Sequence, residues 1–239
     1  MNKLALVAIT GITISAVCLG AGGALEGRDF HGLNSFSIFD RGPRCDAATD
    51  GGATSRDLDW DGADHVTLTA PGHVTYAPGS DDRMHVSGDA RLVAHVRARG
   101  GRVELDCHGW QDGDNLTIAL PGREFDKFTI AGTGHLALNG LKQDHIKLSI
   151  KGSGSIKADG KVETADLHIG GSGDINIAAV QAAVAKVDIR GSGNTDIAPT
   201  DEADIHIAGS GDVNLHTNPK KLETHIAGSG RIHNIPAGG

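Results

Sequence analysis

The chain has 239 residues and a formal net charge of −8, with acids and bases dispersed, which excludes the clustered Lys/Arg footprint of a nucleic-acid binder. Hydrophobic residues make up 38% but aromatics only 3%, so a core must be built mainly from Ile, Leu, Val and Ala. Glycine, at 35 residues, is roughly twice its usual share, and without a three-residue period it excludes a collagen-like chain.

Residues 1–24, "MNKLALVAITGITISAVCLGAGGA", read as a secretory signal peptide: a short basic start, an apolar run and a small-residue exit. Cleavage is expected after Gly22 or Ala24, each of which leaves small residues at the −1 and −3 positions. Removal takes away Lys3 and no acid, leaving 21 bases against 30 acids, a net −9. A retained membrane helix is the alternative, weakened by Gly and Thr within the run. Cys18 raises a lipid anchor, although Val17 stands where a lipobox wants a small residue. Exported, the chain would reside in the periplasm or at the cell surface, or be secreted. Export also permits a disulfide, and Cys45 and Cys107 form an even pair outside any CxxC or zinc spacing. A bridge between them is expected, two free thiols being the alternative.

Residues 25–56 are irregular, with one candidate strand around Phe36, Ile38 and Phe39. From Leu58 to Leu120 short alternating runs, among them "HVTLTA", "RMHVSG" and "NLTIALPG", are bounded by Gly, Pro, Asp or Ser and argue all-β structure. The Ala-rich stretch 178–187, "AAVQAAVAKV", is the one place where a helical turn is expected.

From Phe125 onward a repeat takes over. Gly-Ser/Thr-Gly triplets occupy Gly132–Gly134, Gly152–Gly154, Gly171–Gly173, Gly191–Gly193, Gly209–Gly211 and Gly228–Gly230, at intervals of 20, 19, 20, 18 and 19 residues. A period just under 20 marks a solenoid. Two residues before each triplet stands Ile130, Ile150, Ile169, Ile189, Ile207 or Ile226, and period-2 apolar positions continue on both sides. The expected unit is two strands joined at a glycine corner, where the backbone needs φ > 0 or close approach to its neighbour. The middle hydroxyls, Thr133 and then five serines, would form a column. One coil cannot bury its apolar face alone, so coils must stack in parallel, with right-handed crossovers. The predicted fold is an all-β, right-handed parallel β-helix over residues 57–236, its six corners spanning about 24 Å at the strand spacing. The strands of 58–120 are expected to continue the same stack less regularly.

Few positions suggest chemistry. The residues after the triplets are His135, Ser155, Asp174, Asn194, Asp212 and Arg231, too few acids at the wrong period for the nonapeptide calcium repeats. "GSG" without a following Lys-Ser/Thr is not a phosphate loop. His168, His206 and His225 face outward, and the last two fall in consecutive coils, but no thiol or carboxylate completes a metal site. Asp174, Asp188, Asp196 and Asp212 lie near the repeat face, and Asp188 and Asp196 flank one corner, the arrangement an acid-based glycosidase or lyase would need. Trp60, Tyr76 and Trp110 could stack on sugars or pack in a core.

The reiterated "GSG" with Ile before and "D-I/V" after, together with "LTAPGHVTYAPGSDDRMHVSGDARLVAHV" and "LTIALPGREFDKFTIAGTGHLAL", resembles the GIN domain, described as an auto-transporter adhesin head. The resemblance covers residues 58–235. It implies a right-handed β-helix-like solenoid in an exported bacterial protein and supplies no catalytic residues. The expected function is therefore non-catalytic: an adhesin-like or structural module of the cell envelope, without cofactor or metal, meeting a surface glycan or an envelope protein. The alternative is a carbohydrate-active enzyme on the same fold. Self-association through end coils or exposed strand edges is a third expectation.

Overall fold

The computed structural model describes residues 44–45, 52–110 and 115–235. The signal peptide, Cys18 and the candidate strand at 36–39 lie outside the described residues. Sixteen strands form one continuous sheet that winds on itself. In chain order they are β1 (Ser55–Asp59), β2 (His65–Leu68), β3 (His73–Tyr76), β4 (Arg83–Gly88), β5 (Val96–Arg99), β6 (Arg102–Leu105), β7 (Leu116–Ala119), β8 (Lys127–Ile130), β9 (His135–Ile150), β10 (Ser155–Ile169), β11 (Asp174–Ile189), β12 (Thr195–Ile197), β13 (Pro199–Gly209), β14 (Asp212–Leu215), β15 (Lys221–Gly228) and β16 (Arg231–Asn234). The one helix among the described residues, α1 (Ala90–Val93), is capped by the Asp89 carboxylate, which accepts from the Arg91 N–H. Among the described residues no helix is long and apolar enough to cross a membrane.

Two parallel ladders carry the stack. The strand segments before the triplets pair in the order β6-β2-β8-β9-β10-β11-β13-β15. Those after the triplets pair as β7-β3-β9-β10-β11-β12-β14-β16. The result is an all-β solenoid with turns of about 19 residues, the rise coming from residues one period apart, such as Ile150, Ile169 and Ile189, lying side by side. Their side chains, with Ile130 and Ile207, form a column at most 1% exposed. Burial on that scale contributes roughly 1.5–3 kcal/mol per side chain relative to exposure.

The triplets lie between the strand segments of the two ladders, and close approach dominates their backbone requirement. A Cβ built on Gly171 would stand 2.3 Å from the Gly152 carbonyl oxygen, and Gly152 stands in the same relation to Gly132. The second glycine is excluded from side chains by a different neighbour. A Cβ on Gly173 would meet the Gly154 oxygen at 2.2 Å and Cγ2 of Ile150 at 2.7 Å. The Ile of one coil thus fills the space that the second glycine of the next coil leaves free, which is why the two recur together. Positive φ is confined within the triplets to Gly209 and Gly228. The triplets are also tied by backbone: Ser153, Ser172, Ser192, Ser210 and Ser229 each donate their N–H to the first-glycine carbonyl one coil below.

Two expectations are corrected. Residues 178–187 are not helical but run inside β11, with Val180, Ala182, Ala185 and Val187 buried against neighbouring coils. Alanine's helix preference is a weak local bias, and ladder pairing on both sides overrides it. The strands of 58–120 join the stack, but out of chain order and only in part. β2 and β3 form its second level, paired above with β8 and β9, while β6 and β7, later in the chain, lie beneath them. The segment between β3 and β6, joined by β1 from before β2, closes that end with antiparallel strands: β5 on β6, β4 on β7 and β1 on β4. Met84, Leu92, Val93 and Val96 bury there. Trp60, Tyr76, Phe125 and Phe128 pack beside them with ring centroids 5.4–5.6 Å apart.

Cys45 and Cys107 form a disulfide with a Cα separation of 5.1 Å. The Cys45 N–H also donates to the His108 carbonyl, so Arg44 and Cys45 are fastened beside Cys107 and His108.

Candidate functional site

Along the ladder from β9 to β13, alternate side chains are buried and most of the intervening ones face solvent, in rows set by the parallel register and continued onto the exposed β15. Immediately before the periodic Ile the row reads Ser149, which is itself buried, then His168, Asp188, His206 and His225. Three residues before it the row reads Lys147, Asp166, Lys186, Asp204, Glu223. The second row alternates in sign over its first four levels, so Asp166 and Lys186 each have opposite charges above and below at strand spacing, whereas Lys147 stands over Lys127 and Asp204 under Glu223. Stacking identical coils would otherwise set like charges on like.

Contacts within the rows are specific. Arg190 grips Asp188 through two nitrogens, at 3.1 and 2.8 Å, and His168 Nδ1 lies 3.7 Å from the same carboxylate. His206 Nδ1 is 3.3 Å from Asp204, and His145 Nε2 is 3.6 Å from Asp166. The other Asp166 oxygen, Oδ1, is enclosed without a hydrogen-bond partner. The rings of His206 and His225 are 5.8 Å apart and tilted by 39°. A depression of about 250 Å³ opens among Lys147, Asp166, His168, Lys186, Asp188 and His206. It adjoins a second hollow of about 450 Å³ bounded by Asp188, Arg190, His206 and His225.

The remaining candidates separate from this face. Asp174 accepts from the Asn194 backbone and side-chain N–H groups, Asn194 accepts from the Asp212 N–H, and Asp212 accepts from the Arg231 N–H. The residues after the triplets therefore form a ladder that ties successive coils together. Asp196 is engaged by Asn214 and by His216 at 2.8 Å, whereas Asp188 is held by Arg190, so this pair is not joined in one acid–base couple. Among the described residues no group of three or more His, Cys, Asp or Glu could hold a metal ion. Tyr76 is buried, its hydroxyl donating to the Arg123 carbonyl, and burial pushes its pKa up. Trp60 packs edge-on against Phe125 and donates to the Ala63 carbonyl. Of the three aromatics considered for sugar stacking, Trp110 alone is exposed.

Sequence reasoning singled out His168, His206, His225 and Asp188 but missed the Lys147–Asp166–Lys186–Asp204 row. The signal was present: all four stand three residues before the periodic Ile. It also missed His85, whose Nε2 and Nδ1 each lie 2.6 Å from a carboxylate, of Asp81 and Asp57 respectively. The Asp81 hydrogen bond, then that of Asp57, raises the His85 pKa, and His85 in turn holds Asp81 below its usual range.

Comparison with known proteins adds family and fold. A family model described as "Putative auto-transporter adhesin, head GIN domain" matches residues 64–219. No curated protein matches the chain. A crystal structure of a putative adhesin from Bacteroides fragilis NCTC 9343 is 19% identical with a TM-score of 0.58, covering 76% of this chain and 96% of its own. Two structures from Parabacteroides distasonis ATCC 8503, described as a putative adhesin and a putative lipid binding protein, are each 17% identical. Their TM-scores are 0.52 and 0.50, and each comparison covers 77% of this chain and 97% of the other. At these identities the likeness speaks to the fold.

Proposed function

The chain belongs to the auto-transporter adhesin head GIN domain family, and from that membership we propose that it is an exported cell-envelope module that binds without catalysis. In this reading the solenoid is a right-handed parallel β-helix whose Gly-Ser-Gly triplets, from Gly132–Gly134 to Gly228–Gly230, are its corners. Right-handedness follows from the crossover rule for parallel strands. The signal peptide takes the chain to the periplasm or cell surface, with a lipid anchor at Cys18 as the lesser route to a membrane.

The observation that carries the reading is the face built by β9 to β15. Its Lys147–Asp166–Lys186–Asp204 row sets cationic donors and carboxylate acceptors alternately at about 4.8 Å on a stiff sheet, beside a row of imidazoles and Asp188. A glycan chain presents hydroxyls that donate and accept, and a flat grid of both partners suits it. The same grid suits a polar surface of an envelope protein. Asp188 is gripped by Arg190 and the Asp174 column is tied into the ladder, so neither offers the unengaged acid and base that hydrolysis requires. A further copy of the chain is also a partner in this reading, favoured by the exposed final coil.

The test is a glycan array probed with residues 25–239, with turnover followed on every hit. Binding without turnover, lost in Lys186→Ala and Asp188→Ala variants that melt as the parent does, is the expected result. Turnover abolished by changing one Asp would replace it with the carbohydrate-active enzyme. Silence across the array, with capture of an envelope protein by the same face, would assign the protein partner.

A further inference from the structure

The described residues include four large apolar side chains that are clearly exposed, and three of them belong to the last coil: Leu222 at 46%, Ile226 at 43% and Ile235 at 51%. They are not stray surface residues. Leu222, Thr224 and Ile226 stand directly above Ala203, Ile205 and Ile207, which are at most 1% exposed. The buried columns of the solenoid simply emerge at this end. Among the described residues β15 pairs with β13 alone, and every residue of it is exposed.

The backbone is open there as well. Ser229 donates its N–H to the Gly209 carbonyl below. Counting back in steps of two, the amides of Lys221, Glu223, His225 and Ala227 face β13, and those of Leu222, Thr224 and Ile226 are left at the free edge. The free backbone groups and the uncovered core side chains therefore belong to the same three residues.

We propose that this edge is covered by a second copy of the chain, end to end, through antiparallel pairing of β15 with the partner's β15 about a two-fold axis at Thr224. In this register Leu222 lies opposite the partner's Ile226, Thr224 opposite the partner's Thr224, and Glu223 opposite the partner's His225. Apolar residues meet on the inner face, and on the outer face each Glu223 carboxylate meets an imidazole of the partner that can donate to it. Moving the axis one residue toward the N-terminus sets Glu223 against the partner's Glu223, and one residue the other way sets His225 against the partner's His225. A slip that brings inner residues against outer ones would turn Leu222 and Ile226 away from the core. The chosen register forms about six backbone hydrogen bonds, since each of its three facing pairs exchanges two.

The other end of the solenoid decides that the assembly stops at two. A filament would need an open apolar edge at both ends. There the outermost strands, β1 and β5, are antiparallel and carry Arg56, Asp57, Asp59, Arg97 and Arg99. Charged edges of this kind resist further strand addition. The assembly goes beyond side-face binding and does not depend on it.

The test is the mass of the purified chain by light scattering across a concentration series. The expected result is twice the monomer mass, halved by Ile226→Lys in a chain that still folds, as its circular dichroism spectrum would show, because in the free monomer that side chain is already exposed. Glu223→Lys should also dissociate the pair by removing the carboxylate that faces His225, and adding His225→Glu should restore it as a Lys–Glu pair. Thr224→Cys should give an intermolecular disulfide on mild oxidation, because facing Cα atoms in such a pair are about 5.5 Å apart. A constant monomer mass would overturn the proposal, whatever then covers the coil. So would a dimer indifferent to Ile226→Lys and Glu223→Lys, or a mass that keeps growing. Loss of glycan binding with the dimer intact would instead count against the side-face reading alone.

Discussion

The two ends of the solenoid meet the same problem in opposite ways. Any stack of parallel coils leaves a ladder edge and an apolar cross-section at each end. At the first end the chain abandons its repeat and adds β4, α1 and β5, buries Met84, Leu92, Val93 and Val96, and packs Trp60, Tyr76, Phe125 and Phe128 alongside. At the last end the repeat continues unaltered through β15 and β16, and Leu222, Ile226 and Ile235 are left in the open. The most regular part of the sequence is thus the part that ends without a cover, and the least regular part is the cover. Regularity builds the interior of a solenoid, whereas closure requires departing from it.

The largest effect that would sharpen this contrast is at the triplets. Gly171→Val places a side chain where even a Cβ would stand 2.3 Å from the Gly152 oxygen, backbone that cannot move without moving the coil. Destabilisation of about 4 kcal/mol or more is expected, read by denaturant unfolding. Gly132 rests on a level without a triplet, where the nearest atom to its Cβ is the Thr69 oxygen at 3.3 Å. Gly132→Ala should be far milder than Gly171→Ala. Equal losses would reject close approach as the reason for glycine.

At the capped end Phe125→Ala should remove about 3–5 kcal/mol, since the ring is fully buried and touches Trp60, Tyr76 and Phe128. A loss below about 1 kcal/mol would show that the aromatic cluster does not hold the end coils together. Breaking the Cys45–Cys107 bridge comes next. Its sequence separation of 62 gives up to about 4 kcal/mol in the chain-entropy model, and about 2–4 is the usual range. Reductant should lower the melting temperature accordingly. An unchanged melt, with both thiols titratable after reduction, would remove the bridge from the account of the cap.

A smaller effect of opposite sign is expected inside the repeat. Thr195 is fully buried in the column that includes Ile175 and Val213, and its hydroxyl has no hydrogen-bond partner. Thr195→Val should stabilise by about 1 kcal/mol, because an unsatisfied buried hydroxyl costs about that much or more. A loss on this change would mean that the hydroxyl has a partner after all.

The smallest effect is the pH response of the cap. His85 on β4 reaches Asp57 on β1, and its two carboxylate partners raise its pKa above that of the unfolded chain. A raised histidine stabilises fully below its unfolded value, about 6.5, and the contribution fades as pH rises through the folded value. Hydrogen exchange of β1 amides, corrected for intrinsic rates, should therefore quicken relative to β10 as pH rises through that window. The same series in His85→Gln should show no such change. Persistence of the change in that variant would assign it to another group.

Much of this molecule was written locally. The triplet period, the Ile two residues before each triplet and the alternation around it are short-range patterns, and strands one period apart can only stack as those patterns match. That is why the repeat interior was legible from Phe125 onward. Other features depend on partners distant in the chain. "HVTLTA" and "GRVELDC" look alike as strands, and nothing local tells that the second lies beneath the first. The Ala-rich stretch 178–187 looks helical until coils on both sides offer ladders to pair with. The charged face has the same origin, because Lys147, Asp166, Lys186 and Asp204 become one row only when stacking brings residues about 19 apart to strand spacing. The sequence by itself determined the coil, its bends and its core, since those follow from side-chain period and backbone clearance. Only the tertiary structure decided the order of the coils, which end is closed and which surface faces outward, because those are set by contacts between segments that local chemistry leaves free to pair in more than one way.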